Sequence, residues 1–113
     1  MYKPVFWLSL LGIFVLSLLP GEQLPPQVGQ IWDKAQHALG FLWLGLSGHL
    51  AYPRCPLRVL AGVLMAGVAI ELAQSVTPWR HADWQDWVAD AVGTITASVL
   101  WWSMRRPPAA QKR

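Results

Sequence analysis

Apolar runs separated by short polar, proline-bearing breaks divide this chain into four segments. Pro4 to Leu19 is apolar apart from Ser9 and Ser17 and ends at Pro20-Gly21. That is short for a membrane span, for which about 17 residues is the lower limit. A cleaved signal peptide is the rival reading. Lys3 makes only a weak basic start, and the run ends without an A-x-A type cleavage site, so a retained helix over about 4–20 is expected. Gly21 to Trp32 reads as a polar loop with prolines. The next run contains Gly40, Gly45 and Gly48, which a membrane helix tolerates, and predicts a second helix over 33–51. Tyr52-Pro53-Arg54-Cys55-Pro56 is a tight turn before a third helix over 57–76. Gly62, Ala66, Ala69 and Ala73 lie on one face of that helix, a small-residue seam suited to close packing. Thr77-Pro78-Trp79 ends it, and a fourth helix follows over 83–104.

The fourth segment carries the most informative pattern. Asp83, Asp86 and Asp90 fall at i, i+3 and i+7, followed by Gly93 and Ala97. That spacing puts them on one helical stripe. Acids on an apolar helix are costly in lipid and should face a protein interior or a wet cavity.

Composition turns this pattern into a class. Of the 113 residues 54% are hydrophobic and 13% charged, whereas ordinary soluble domains are about a quarter charged. One domain over 1–104 is expected, an all-α integral membrane four-helix bundle, with a basic, disordered tail over 105–113. The net charge of +3 does not indicate nucleic-acid binding, because the basic residues are scattered and form no basic helix. The one cysteine, Cys55, rules out an intrachain disulfide and a multi-cysteine metal site.

Charge also sets the orientation. Four spans bring both termini to one side. Lys3, Arg54, Arg58, Arg105, Arg106, Lys112 and Arg113 fall on that side, with no acid among them. All six acids fall on the other side, with only Lys34 and Arg80 as cations. The excess of basic residues predicts cytoplasmic termini in a multi-pass protein of the bacterial inner membrane. Trp32, Trp79, Trp84 and Trp87 would then form an outer aromatic belt, and Tyr52, Trp101 and Trp102 an inner one.

In this topology the ionisable residues converge just below the outer surface, at depths of roughly 6–10 Å. Asp33 and Asp83 are read as helix caps and Gly93 as a packing residue. Lys34 by default snorkels to the surface, and Asp86 is expected to pair with Arg80. His37, Glu71 and Asp90 lie deeper and are the candidates for acid–base work. The same three could instead hold a divalent ion that bridges to a phosphate. Lys34, Gln74, Arg80 and Asp86 are the expected ligand-binding residues, with Arg80 and Lys34 suited to phosphate oxygens. A network that only fixes helix packing is the plain alternative.

The elements Asp33-Lys34-x-x-His37-x-x-x-Phe41, Glu71-x-x-Gln74 and Pro78-x-Arg80-x-x-Asp83-x-x-Asp86-x-x-x-Asp90-x-x-Gly93 together resemble the VanZ-like family of small bacterial membrane proteins. The pattern covers the last three predicted helices, residues 33–97. The family takes its name from a protein associated with resistance to the glycopeptide antibiotic teicoplanin. The resemblance implies a multi-helix membrane protein and supports the residue set, without fixing a reaction. In one departure, the family usually has Asn where this chain has Asp90, so an acid replaces a neutral amide in the pocket.

Three functions remain open. The first is binding, or processing, of an anionic lipid or lipid-linked cell-envelope precursor at the outer face. The second is a small proton- or cation-coupled transporter, for which the inner half of the helices offers no acid and no continuous polar path. The third is a non-catalytic membrane assembly subunit, with the small-residue seams as its contacts. A homo-oligomer is compatible with the second and the third.

Overall fold

The computed structural model describes residues 2–18, 26–78 and 84–105, with side chains in the second helix described from Lys34 onward. Within them the chain is all-α: α1 is Tyr2–Leu18, α2 Pro26–Ala51, α3 Pro56–Ser75 and α4 Trp84–Arg105. The expectations for Arg80 and Asp83, for Trp32 and Trp79 as belt residues, and for the tail beyond Arg105 lie outside the described residues.

The largest departure from the sequence reading is the start of α2. It begins at Pro26, seven residues before the expected Asp33. Proline is compatible with a first helical turn, where its missing N–H would have had no partner. Val28, Ile31 and Trp32 also follow a helical i, i+3, i+4 pattern that the prolines obscured. Asp33 therefore lies about two turns inside the helix and is not its N-cap. At the start of α3, Pro56 follows Cys55, whose carbonyl accepts the Val59 N–H at 3.0 Å. At its end, the Val76 N–H bonds the Ala73 carbonyl at 3.3 Å, and the Thr77 N–H bonds the Gln74 carbonyl at 3.2 Å. These bonds satisfy carbonyls that the finished helix would leave open.

Contacts fix an up-down-up-down arrangement. The indole of Trp7, early in α1, donates to the Tyr52 hydroxyl beyond the end of α2, at 2.8 Å. The Trp43 indole donates to Ser9 Oγ, also at 2.8 Å. α1 and α2 are therefore antiparallel. α2 and α4 run the same way: Lys34 meets Asp86, His37 meets Asp90 and His49 meets Ser98. α2 packs on all three other helices and most extensively on α4.

The two sides of α2 differ in kind. Toward α1 and α3 it contributes Phe41, Leu44 and Ala51 to an apolar core completed by Phe6, Val59, Val63 and Ile70. Truncating a buried aromatic such as Phe41 to alanine costs about 3–5 kcal/mol in well-packed cores. Toward α4 the interface is close and polar. A Cβ on Gly93 would run into the Ala38 carbonyl oxygen and come within 2.9 Å of the Leu42 nitrogen. A Cβ on Gly45 would be 2.5 Å from that of Ala97. Only glycine lets these backbones approach this closely. Buried along the same seam are His37, His49, Asp86, Asp90, Thr94 and Ser98.

The small-residue seam expected on α3 is only partly covered within the chain: Ala66 and Ala73 are half-buried. Gly62 and Ala69 are exposed, and a Cβ added to Gly62 would meet nothing within 4 Å. The buried face of α3 is instead Val59, Val63, Gly67, Ile70 and Gln74. The larger side chains on that face bring more contact surface to the core than alanines do.

Among the described residues, α3 is the one helix both long and apolar enough to cross a membrane, and α1 is a shorter apolar helix. α2 and α4, at 26 and 22 residues, have the length. Their hydropathy is lowered by the polar side chains they bury against each other.

Candidate functional site

The polar groups of α2 and α4 meet near the start of α4. The Asp86-x-x-x-Asp90 spacing stacks two carboxylates on the face that meets α2. Lys34 and His37, one turn apart on α2, face them. His37 Nδ1 and Asp90 Oδ1 are hydrogen-bonded at 2.7 Å, and His37 Nε2 lies 3.9 Å from Asp86 Oδ2. The imidazole is thus held between two carboxylates. His37 is 8% exposed, Asp86 3% and Asp90 0%, so this is an interior arrangement. Lys34 Nζ lies 3.5 Å from Asp86 Oδ1 and keeps a third of its side chain exposed. Lys34 therefore does more than snorkel. It is the described cation beside Asp86, the place expected for Arg80.

α3 completes the site. A Cβ on Gly67 would sit 3.2 Å from Asp90 Oδ2 and 3.2 Å from Trp87 Cδ1. The absence of a side chain there lets α4 bring Asp90 against α3. Glu71 follows one turn later on α3. One donor atom each from His37, Glu71 and Asp90 lie within 4.8 Å of one another. The three residues singled out for acid–base or ion chemistry are therefore brought together from three different helices.

Glu71 also faces outward. With Val68, Leu72, Ser75, Trp84, Trp87 and Val88 it lines an open, largely apolar groove of about 460 Å³ between α3 and α4. Trp84 is 72% exposed, while the Trp87 indole is half-buried and donates to the Leu64 carbonyl at 3.4 Å.

Gln74 faces a different neighbour. It is fully buried, and its amide nitrogen donates to the Ser17 carbonyl at 2.8 Å, tying α3 to α1. The i, i+3 spacing from Glu71 leaves about 60° between the two side chains, enough to send them to different helices. Gly93 has the structural role expected of it, at the α2–α4 contact.

A second polar cluster lies beyond what the sequence reading placed. His49, with no exposed surface, bonds Ser98 Oγ through Nε2 at 2.9 Å. Its ring stacks on Trp101 at 5.7 Å between centroids and 10° between planes. The Arg105 guanidinium lies 5.0 Å over the same indole. Trp101 therefore packs inward, against the expectation of a belt position, whereas Trp102 is exposed. Between the clusters, the Thr94 hydroxyl donates to the Asp90 carbonyl at 2.8 Å. The far half of the bundle thus has more buried polar groups than expected, though no acid among those described. The signal is present in the sequence: Asp86, Asp90, Thr94 and Ser98 recur every four residues, a single stripe that continues past its acids.

Comparison of the chain with protein-family models, with curated proteins and with solved structures finds no match.

Proposed function

We propose that this chain is a membrane-embedded four-helix bundle with cytoplasmic termini that binds an anionic lipid or lipid-linked cell-envelope precursor at the acid–histidine site. The membrane reading draws on where the apolar side chains lie. Leu8, Leu11, Leu16, Leu57, Met65, Leu72, Val92, Val99 and Met104 are all exposed, across α1, α3 and α4. Meanwhile His37, His49, Gln74, Asp86 and Asp90 are buried. Apolar outside and polar inside is the distribution a lipid solvent favours and water penalises. The VanZ-like resemblance of residues 33–97 belongs to the same proposal and rests on its motif residues.

The observation that carries the ligand reading is Glu71, which belongs both to the buried cluster and to the apolar groove. A polar cluster at the head of an apolar groove matches an amphiphile, with its headgroup at the cluster and its chain along Val68, Leu72 and Val88. Lys34 and Arg80 are the cations proposed for the headgroup oxygens. The test is retention of lipid from a bacterial membrane extract by the purified chain, read by mass spectrometry. Wild type should retain anionic lipid, and an Arg80→Ala, Glu71→Gln double variant should lose it; equal retention overturns the reading.

A cation-coupled transporter is the second reading, favoured by the polar stripe from Asp86 through Thr94 to Ser98 and His49. Proteoliposomes that show no cation flux under an imposed gradient exclude it.

A further inference from the structure

We propose that His37, Glu71 and Asp90 bind one divalent transition-metal ion, Zn²⁺ or Mn²⁺, and that a phosphate-bearing headgroup is held through that ion. The second half of this proposal rests on the lipid reading; the ion site does not.

The geometry begins with convergence. α2, α3 and α4 each supply one ligand, and the three donor atoms lie within 4.8 Å of one another. Ligands about 2.1 Å from a common ion stand roughly 3–4 Å apart, so small side-chain rotations close the set. The donors are one imidazole nitrogen and two carboxylates. The imidazole suits Zn²⁺ and the two carboxylates suit Zn²⁺ or Mn²⁺, whereas Ca²⁺ and Mg²⁺ favour all-oxygen shells.

The surroundings suit such a site. Asp86 Oδ2, 3.9 Å from His37 Nε2, is placed to orient the imidazole from outside the ligand set, and Lys34 holds Asp86 in turn. Gly67 leaves room for Asp90 Oδ2 to face α3, the helix that carries Glu71. Entry is along the groove that Glu71 lines. Three protein ligands leave coordination positions open, as in sites that accept a further oxygen ligand. A bound dication there would attract a phosphate and add to the pull of Lys34 beside Asp86.

The ion site is tested on the full chain in detergent, stripped with EDTA and titrated with Zn²⁺ by calorimetry and with Mn²⁺ by electron paramagnetic resonance. One ion per chain is expected. His37→Ala and Asp90→Asn should abolish binding, and Glu71→Gln should weaken it at least ~10-fold. His49→Gln, in the other cluster, should bind as wild type does. Asp90 is wholly buried and its variant can misfold, so the half-buried Glu71 decides. Helix content measured by circular dichroism confirms that the Glu71→Gln chain is folded. No stoichiometric ion in wild type, or equal affinity in Glu71→Gln, overturns the site. Retention of phosphatidic acid, followed by native mass spectrometry with and without EDTA, separates the two readings. Retention lost with EDTA supports the bridge. Ion binding without lipid retention leaves the ion site and removes the lipid reading. Retention unchanged by EDTA in a chain that takes up no ion does the reverse.

Discussion

The α2–α4 seam has a buried histidine at each end, and the two are treated differently. His37 lies between Asp90 at 2.7 Å and Asp86 at 3.9 Å, with Glu71 in reach from α3. His49 has a neutral partner, Ser98, and the flat face of Trp101. The first is surrounded by groups that carry charge and opens toward a groove. The second is closed, and its Nδ1 has no hydrogen-bond partner among the described residues. Burial alone therefore does not mark a site. What separates the two ends is partner chemistry and access.

Both ends depend on the same close approach of two helices, so the change that should do most harm is one that pushes those helices apart. Gly93→Ala would drive its Cβ into the Ala38 carbonyl, which is backbone and cannot rotate away. A loss of ~3 kcal/mol in a detergent unfolding titration is expected, with both clusters disrupted together. If Gly93→Ala is as stable as wild type, the seam is not the common foundation of the two ends.

The next test separates the ends. Asp90→Ala removes the nearer partner of His37 and leaves a buried imidazole beside Asp86. Breaking a buried charged pair from one side costs about 3 kcal/mol at the lower end, and here part of that is offset by Asp86. A loss of ~2 kcal/mol is therefore expected, together with loss of ion binding. At the other end, Ser98→Ala should cost about 1 kcal/mol and leave ion and lipid binding unchanged. The His49→Phe, Ser98→Ala double variant should recover most of that loss, because it removes both polar partners and keeps the ring on Trp101. A double variant worse than the sum of the singles would show that His49 contributes more than packing.

The smallest expected effect is on the outside of α3. Gly62→Leu places a side chain in open space and should change stability by no more than about 0.5 kcal/mol. If the outward Gly62–Ala73 stripe joins copies of the chain, the same variant should shift the size distribution by light scattering while leaving both clusters intact.

The residue set of the site was legible because it depends on spacing along one helix at a time. The four-residue interval between Asp86 and Asp90 and the three-residue interval between Lys34 and His37 fix faces before any packing is known. Charge asymmetry then put all the acids at one end of the expected bundle. The start of α2 was not legible, because Pro25-Pro26 signals a break equally well before a helix and within a loop. The division of Glu71 from Gln74 was not legible either, since 60° of helical rotation decides a side only when the neighbours are in place.

The sequence by itself determined four helices, a stripe of acids on α4 and the three ionisable residues, His37, Glu71 and Asp90, that come together. Those follow from local rules, in which each residue needs only its own helix. The tertiary structure alone decided which faces meet. It set Gly93 and Ala97 against α2, left Gly62 and Ala69 of α3 exposed and paired Asp86 with Lys34. It also stacked His49 on Trp101. The physical reason is that helix packing is settled by the fit of whole surfaces, and a backbone approach permitted by one glycine fixes what every side chain along the seam can reach.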